Sequence, residues 1–281
     1  FDKRNNLTIL MDYMKNGSLA NFIKDGISDK CPEFTPTIRQ IILIGIARGM
    51  MLLHKLNVIH RDLKPDNILL DSNLHPHITD FGLSKFFDKN KATEQTQSGL
   101  GTLLYMAPEV MDDSIFDIKA DVYSFGILMY EVVTGKSAFG HLGNISALKL
   151  YEKVKNGARP IIKKGTVKQK GLRVMMKMCW DENPQNRPSF SEIFKKLSLS
   201  TNDFLLGFEN NPEKEIINIY KEDADDDADE IAKEEDKAKE MEKKGINTRF
   251  CLDDVDYDQV SRYVEEILVE PKNIKDEEIE E

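Results

Sequence analysis

Residues 60–67 read His60-Arg61-Asp62-Leu63-Lys64-Pro65-Asp66-Asn67, and thirteen positions beyond that Asn comes Asp80-Phe81-Gly82. One short stretch thus supplies a carboxylate able to take a proton, an ammonium able to neutralise phosphate charge, and an amide oxygen and a carboxylate suited to a hard divalent cation. Together these groups do phosphoryl-transfer chemistry. In an extended loop Lys64, two residues on, points to the same side as Asp62.

The elements around these residues read as short strands. Val58-Ile59 precedes the loop, Ile68-Leu69-Leu70 follows it, and His77-Ile78-Thr79 leads into Asp80, with Asp71-Ser72-Asn73 as the turn between the last two. The longer elements are helices. Thr35-Pro36 caps a helix in which Ile38, Ile41, Ile42, Gly45, Ile46 and Gly49 fall on one face. Lys119 to Thr134, apolar nearly all round and stopped by Gly135, is expected at the centre of the lobe. Ala147 to Asn156 and Gly171 to Trp180 follow, and Ser189-Phe190-Ser191-Glu192 is a capping box opening the last helix.

The loop and the metal triplet, followed by Ala107-Pro108-Glu109, resemble the signatures of the eukaryotic protein kinases. The resemblance implies an α+β protein-kinase-like fold: the end of the N-lobe and the hinge in residues 1–16, a helical C-lobe in 17–206, and an acidic, helical or disordered tail in 207–281. It implies that Asp62 orients a substrate hydroxyl and accepts its proton, that Lys64 neutralises the transferred phosphoryl group, and that Asn67 and Asp80 bind Mg2+. Met11 then corresponds to the gatekeeper, the backbone of Asp12 and Met14 to the adenine contacts, Ser18 to the ribose contact and Leu69 to the floor beneath the base. Thr102, after Gly101, matches the hydroxyl that bridges the catalytic Asp and Lys. Glu109 and Arg187 match a buried ion pair, and Asp121 the helical carboxylate that braces the catalytic loop.

Lys64 accompanies Ser/Thr specificity in this family. The wording Asp80-Phe81-Gly82-Leu83-Ser84-Lys85, Thr102-Leu103-Leu104-Tyr105-Met106 and Asp121-Val122-Tyr123-Ser124-Phe125-Gly126 is most similar to the tyrosine-kinase-like group. The implied function is a protein serine/threonine kinase of signal transduction, using ATP and Mg2+ on protein substrates. Between Gly82 and Ala107 lies a polar segment read as an activation loop, in which phosphate on Thr93, Thr96 or Ser98 would pair with Arg61. The competing class is a non-catalytic pseudokinase scaffold. Such a scaffold has no need of Asp62, Lys64, Asn67 and Asp80.

A Gly-rich loop, a strand Lys and a helix Glu belong N-terminal to the hinge in this family, and the sequence starts at Phe1, immediately before the hinge strand. The chain is therefore expected to be an internal fragment of a longer protein, with little kinase activity of its own.

Charge divides the chain. Residues 209–281 hold 11 Lys+Arg against 27 Asp+Glu, net −16, whereas residues 1–208 hold 28 against 22, net +6. That argues against nucleic acid on the tail and permits docking of the tail on the lobe or on a partner. Asp223, Asp225, Asp227 and Glu234 match positions of a calcium loop, but Ala228 replaces the turn glycine, and the run reads as solvated acid. Val260, Tyr263, Val264, Ile267 and Leu268 form the apolar stripe of an amphipathic helix near 257–269. Cys31, Cys179 and Cys251 have no metal-ligand spacing and read as reduced intracellular thiols. The apolar stretches near Ile41 to Leu53 and Tyr123 to Val133 are read as too short for a bilayer, and no signal peptide is visible. A cytoplasmic location is expected, with room for a membrane or targeting segment in the full-length protein.

Overall fold

Thr35 starts the longest helix as its type and neighbour require. Its backbone is extended (φ −69°, ψ 162°), its hydroxyl accepts the amide of Ile38 at 3.3 Å, and Pro36 occupies the first turn. The computed structural model describes residues 12–27, 34–81, 84–86, 102–113, 117–163, 165–198 and Phe204. Met11, Thr93, Thr96, Ser98 and the tail with its amphipathic stripe lie outside the described residues.

Four helices form the core: α2 (Pro36–Lys55), α4 (Ile118–Thr134), α6 (Lys170–Cys179) and α7 (Phe190–Leu197). Helix α2 is buried on nearly every side, not along the single face its apolar spacing suggests, because α7, α4 and the short strands each cover a different flank. With 20 residues it is also longer than the sequence reading allowed, and its length and composition match those of a membrane span. Its apolar surface is instead spent internally, 78% of that window being buried. Gln40 Nε2 donates to Leu197 O at 2.8 Å, which satisfies one of the carbonyls that the end of α7 leaves without a helical partner.

Helix α4 is the central strut, as its all-round apolarity predicts. Gly135 ends it in the left-handed region (φ 64°), with its amide on Glu131 O at 2.8 Å. Gly126 is what lets α6 approach, since a Cβ there would lie 2.7 Å from Cys179 Cβ. The capping box of α7 forms as read: Ser189 Oγ accepts the Glu192 amide at 3.2 Å, and Glu192 Oε2 accepts the Ser189 amide at 2.8 Å. Around the core lie α1 (Leu19–Ile27), α3 (Pro108–Asp113) and α5 (Ala147–Lys155).

Among the described residues two small antiparallel sheets carry the loops. In one, β2 (Ile68–Leu70) pairs with β3 (Pro76–Ile78), with Leu69 opposite His77. Asp71 shapes the connecting turn by accepting the amides of Asn73 and His75 at 2.8 and 2.9 Å. The chain entering α1 lies along β2, with Asn16 N on Leu70 O at 3.1 Å and Leu70 N on Gly17 O at 2.9 Å. In the other sheet β1 (Val58–Ile59) pairs with β4 (Lys85–Phe86). The segment holding Asp80 is thereby tied down on both sides, by β3 before it and β4 after it.

Candidate active site

The loop from His60 to Lys64 is held from below. Asp121, 1% exposed on α4, accepts the backbone amides of His60 and Arg61 at 2.9 Å each, and its Oδ2 also meets His54 Nε2 at 2.9 Å. Burial alone pushes this carboxyl's pKa up. The hydrogen bond and charge of His54, with the Arg61 amide, bring it below the ordinary carboxylate value. These bonds hold Arg61 at φ 72°, a left-handed conformation that costs a non-glycine residue about 1–3 kcal/mol.

His60 is wholly buried and joins the two halves of the site. A carbonyl can only accept, so Nε2 donates to Thr79 O at 3.1 Å; Nδ1 is then the acceptor for the Asp62 amide at 3.3 Å. Its ring lies 5.4 Å from that of Phe81, the middle residue of the metal triplet.

Asp62 is 6% exposed. Its Oδ2 accepts from Lys64 Nζ at 2.5 Å and from Asn67 Nδ2 at 2.9 Å, while Oδ1 is buried without a hydrogen-bond partner. An unpaired buried acceptor costs about 1–3 kcal/mol, and a proton-accepting role gives a reason to keep it. Asn67 Nδ2 also donates to Asp62 O at 2.8 Å, so both contacts use the nitrogen and turn Oδ1 away from Asp62. Asn67 sits in a 3-10 turn (Pro65–Asn67) that feeds β2, not in a strand. Thr79 donates to Asn67 O through both its amide (2.9 Å) and its hydroxyl (3.1 Å). Asp80, the next residue, is exposed and takes φ 64°, a left-handed conformation that Asp tolerates better than most.

The metal ligands expected from the sequence are therefore placed on linked segments. One amide oxygen and one carboxylate fit a small hard cation that keeps several waters and leans on substrate phosphates. Among the described residues no group of three His, Cys, Asp or Glu could hold a metal, which is unlike a closed zinc site.

Of the residues expected at the nucleotide, Ser18 and Leu69 are brought together. Ser18 forms an isolated antiparallel bridge with Leu69, 51 positions away, and its hydroxyl caps α1 by accepting the Asn21 amide at 3.4 Å. Leu69 and Met14 are half-buried and Asp12 is exposed. Thr102 opens a 3-10 turn (Thr102–Leu104) whose neighbours include α5.

Below the site, Arg187 grips Glu109 through both terminal nitrogens, Nη1 to Oε1 at 2.5 Å and Nη2 to Oε2 at 2.9 Å. The fully buried guanidinium further donates to Asp181 O and Lys119 O at 3.0 Å each and lies 5.2 Å from the Tyr123 ring centroid. A second tie escaped the sequence reading: Tyr105 OH donates to Glu131 Oε2 at 2.7 Å, and the Ala138 amide to Oε1 at 2.9 Å. Burial raises both the Tyr105 hydroxyl and the Glu131 carboxyl in pKa, so the proton stays on the tyrosine. The one signal in sequence was an acid inside an otherwise apolar helix.

A helical lobe that braces the loop of Asp62 next to Asn67 and Asp80 has the arrangement of a phosphotransferase lobe of the protein-kinase type. Residues 1–197 match the family described as protein tyrosine and serine/threonine kinase, and the chain belongs to that family. Similar proteins include the RGS domain-containing serine/threonine-protein kinase A of Dictyostelium discoideum, 38% identical over 184 residues, which are 66% of this chain and 15% of that protein. Cysteine-rich receptor-like protein kinase 21 of Arabidopsis thaliana is 37% identical over 205 residues, 68% of this chain and 29% of its own length. Dual specificity protein kinase shkD of Dictyostelium discoideum is 38% identical over 180 residues, 63% of this chain and 23% of its own length. The chain thus spans less than a third of each of these relatives.

Proposed function

We propose that the protein containing this chain is a serine/threonine kinase of signal transduction, moving the γ-phosphoryl of ATP to hydroxyls of protein substrates. The observation that carries this reading is the Asp62 carboxylate: one oxygen is clamped by Lys64 and Asn67, and the other is buried and unpaired. Asp62 Oδ1 accepts the proton of the substrate hydroxyl as the bond to phosphorus forms. Lys64 carries its ammonium beside that oxygen pair, where negative charge gathers on the transferred group. Mg2+ held by Asn67 and Asp80 would supply charge neutralisation on the phosphates. Leu69 offers an apolar surface to the base, Ser18 lies beside it for the ribose, and the backbone of Asp12 and Met14, with Met11 as gatekeeper, bounds the adenine.

Thr93, Thr96 and Ser98 are the proposed phosphorylation sites, with Arg61 as the cation that reads them. The acidic tail is a candidate for partner docking, and the location is proposed to be cytoplasmic. Phosphoamino-acid analysis of substrate labelled by the full-length protein tests the specificity. Phosphoserine and phosphothreonine are expected; phosphotyrosine as the main product would reject the Ser/Thr reading in favour of the wider range that shkD's name describes.

A further inference from the structure

Residues 149–177 hold ten Lys and Arg against one acid, Glu152, whereas residues 1–208 as a whole hold 28 against 22. Outside that stretch the same region has 18 bases and 21 acids, so the domain's entire positive excess resides in α5, α6 and the loop joining them. Two of the ten cations are structural. Arg159 ties the ends of the two helices together, donating through Nε to Trp180 O and through Nη1 to Val154 O, both at 2.9 Å. Arg173 donates to Val167 O at 2.7 Å and Lys168 O at 2.6 Å.

The lysines do something else. Lys149, Lys153, Lys168, Lys170 and Lys177 are all exposed, and apolar side chains sit among them: Leu148 is 66% exposed and Val174 46%. On α6, Lys170, Val174 and Lys177 follow helical spacing and share the outward face. On α5, Lys149 and Lys153 are like charges four apart, an arrangement that weakens a helix by a few tenths of a kcal/mol. A face that only had to be solvated would mix signs, as the rest of the domain does.

We infer that this stretch is a docking surface for an acidic, leucine-containing segment of the protein substrate, lying next to where the phosphoacceptor binds. The inference rests on the kinase reading for its substrate. Position supports it, because α5 packs against the turn Thr102–Leu104 and against α3, the short helix that carries Glu109. The chemistry selects a polypeptide. Exposed Leu148 and Val174 give a nucleic-acid backbone nothing to bind, and the exposed cations are lysines, not the arginines that grip phosphate in bidentate fashion.

The test uses the full chain, a fluorescein-labelled peptide of glutamate and leucine, and the charge reversals K149E/K153E and K170E/K177E, in fluorescence anisotropy. The expected result is saturable binding that weakens about tenfold or more in each double variant and again on raising salt from about 50 to 300 mM. Variants that bind within about twofold of wild type, equal binding of the same peptide with glutamine in place of glutamate, or charge-dependent binding seen only with phosphatidylserine vesicles would overturn it. A second arm measures phosphorylation, by the full-length protein and its variants, of an acceptor peptide with and without the acidic segment. The segment should lower KM for wild type alone, while the bare acceptor is phosphorylated equally by all. Failure of wild type on the bare acceptor would count against the kinase reading, and the anisotropy would still decide the docking.

Discussion

Asn67 reaches Asp62 twice with the same nitrogen, at 2.8 Å to the backbone carbonyl and 2.9 Å to Oδ2 of the side chain. One amide group therefore holds the Asp62 carboxylate with its nitrogen and turns its own oxygen away from it. Asn67→Asp keeps the shape but sets a second carboxylate against Asp62. Turnover of the full-length enzyme is expected to fall about 10²-fold or more, as when a preorganised donor is lost. Steady-state kinetics over a range of Mg2+ concentrations checks this; full activity restored by more Mg2+ would mean that the contact to Asp62 is dispensable.

Asp121 holds the strained turn at Arg61 by hydrogen bonds and by charge. Asp121→Asn should cost about 1.5–3 kcal/mol at neutral pH, the range for hydrogen bonds to a charged group. Because the folded-state pKa is depressed, this stabilisation is complete above the unfolded value, about 3.9, and is lost as pH falls through the folded value. Urea unfolding of wild type and variant should show a gap that narrows below about pH 4. A gap that stayed constant or widened there would contradict the assignment to the Asp121 charge.

Arg187 and Glu109 are unequal partners. The arginine side chain is 0% exposed and the glutamate 26%, so removing the glutamate strands the more deeply buried charge. Glu109→Ala is expected to cost about 3–5 kcal/mol by denaturant titration. Arg187→Met should cost less, because Glu109 can reach water and the methionine refills apolar space beside Tyr123. The reverse order would show that the carbonyls of Asp181 and Lys119 hold Arg187 without Glu109.

What could be read from sequence was local or compact. The expected site residues Asp62, Lys64, Asn67 and Asp80 lie within nineteen consecutive residues, and the caps at Thr35, Gly135 and Ser189/Glu192 follow from side-chain chemistry at the helix ends themselves. What escaped depended on tertiary pairing. The strand Lys85–Phe86 has two residues, too few for any alternation, and exists because Val58–Ile59 lies opposite. The roles of His54 and Glu131 could not be read because their partners, Asp121 and Tyr105, are 67 and 26 positions away. Helix α2 misled on its face for the same reason, since two helices and two strands cover it.

Gly126 tests the packing account away from the site. Gly126→Ala would push a methyl to 2.7 Å from Cys179 Cβ where α4 crosses α6. The overpacking should cost about 1–3 kcal/mol. Thermal unfolding of the variant checks it, and a melting temperature equal to wild type would mean that the two helices separate without penalty.

The central claim is that Asp62 takes the proton of the attacking hydroxyl. Single-turnover phosphate transfer by the full-length protein and its Asp62→Asn variant, with nucleotide affinity measured on both, tests it most directly. Transfer is expected to slow about 10²- to 10⁴-fold, with nucleotide affinity unchanged. Transfer at the wild-type rate by Asp62→Asn would contradict it.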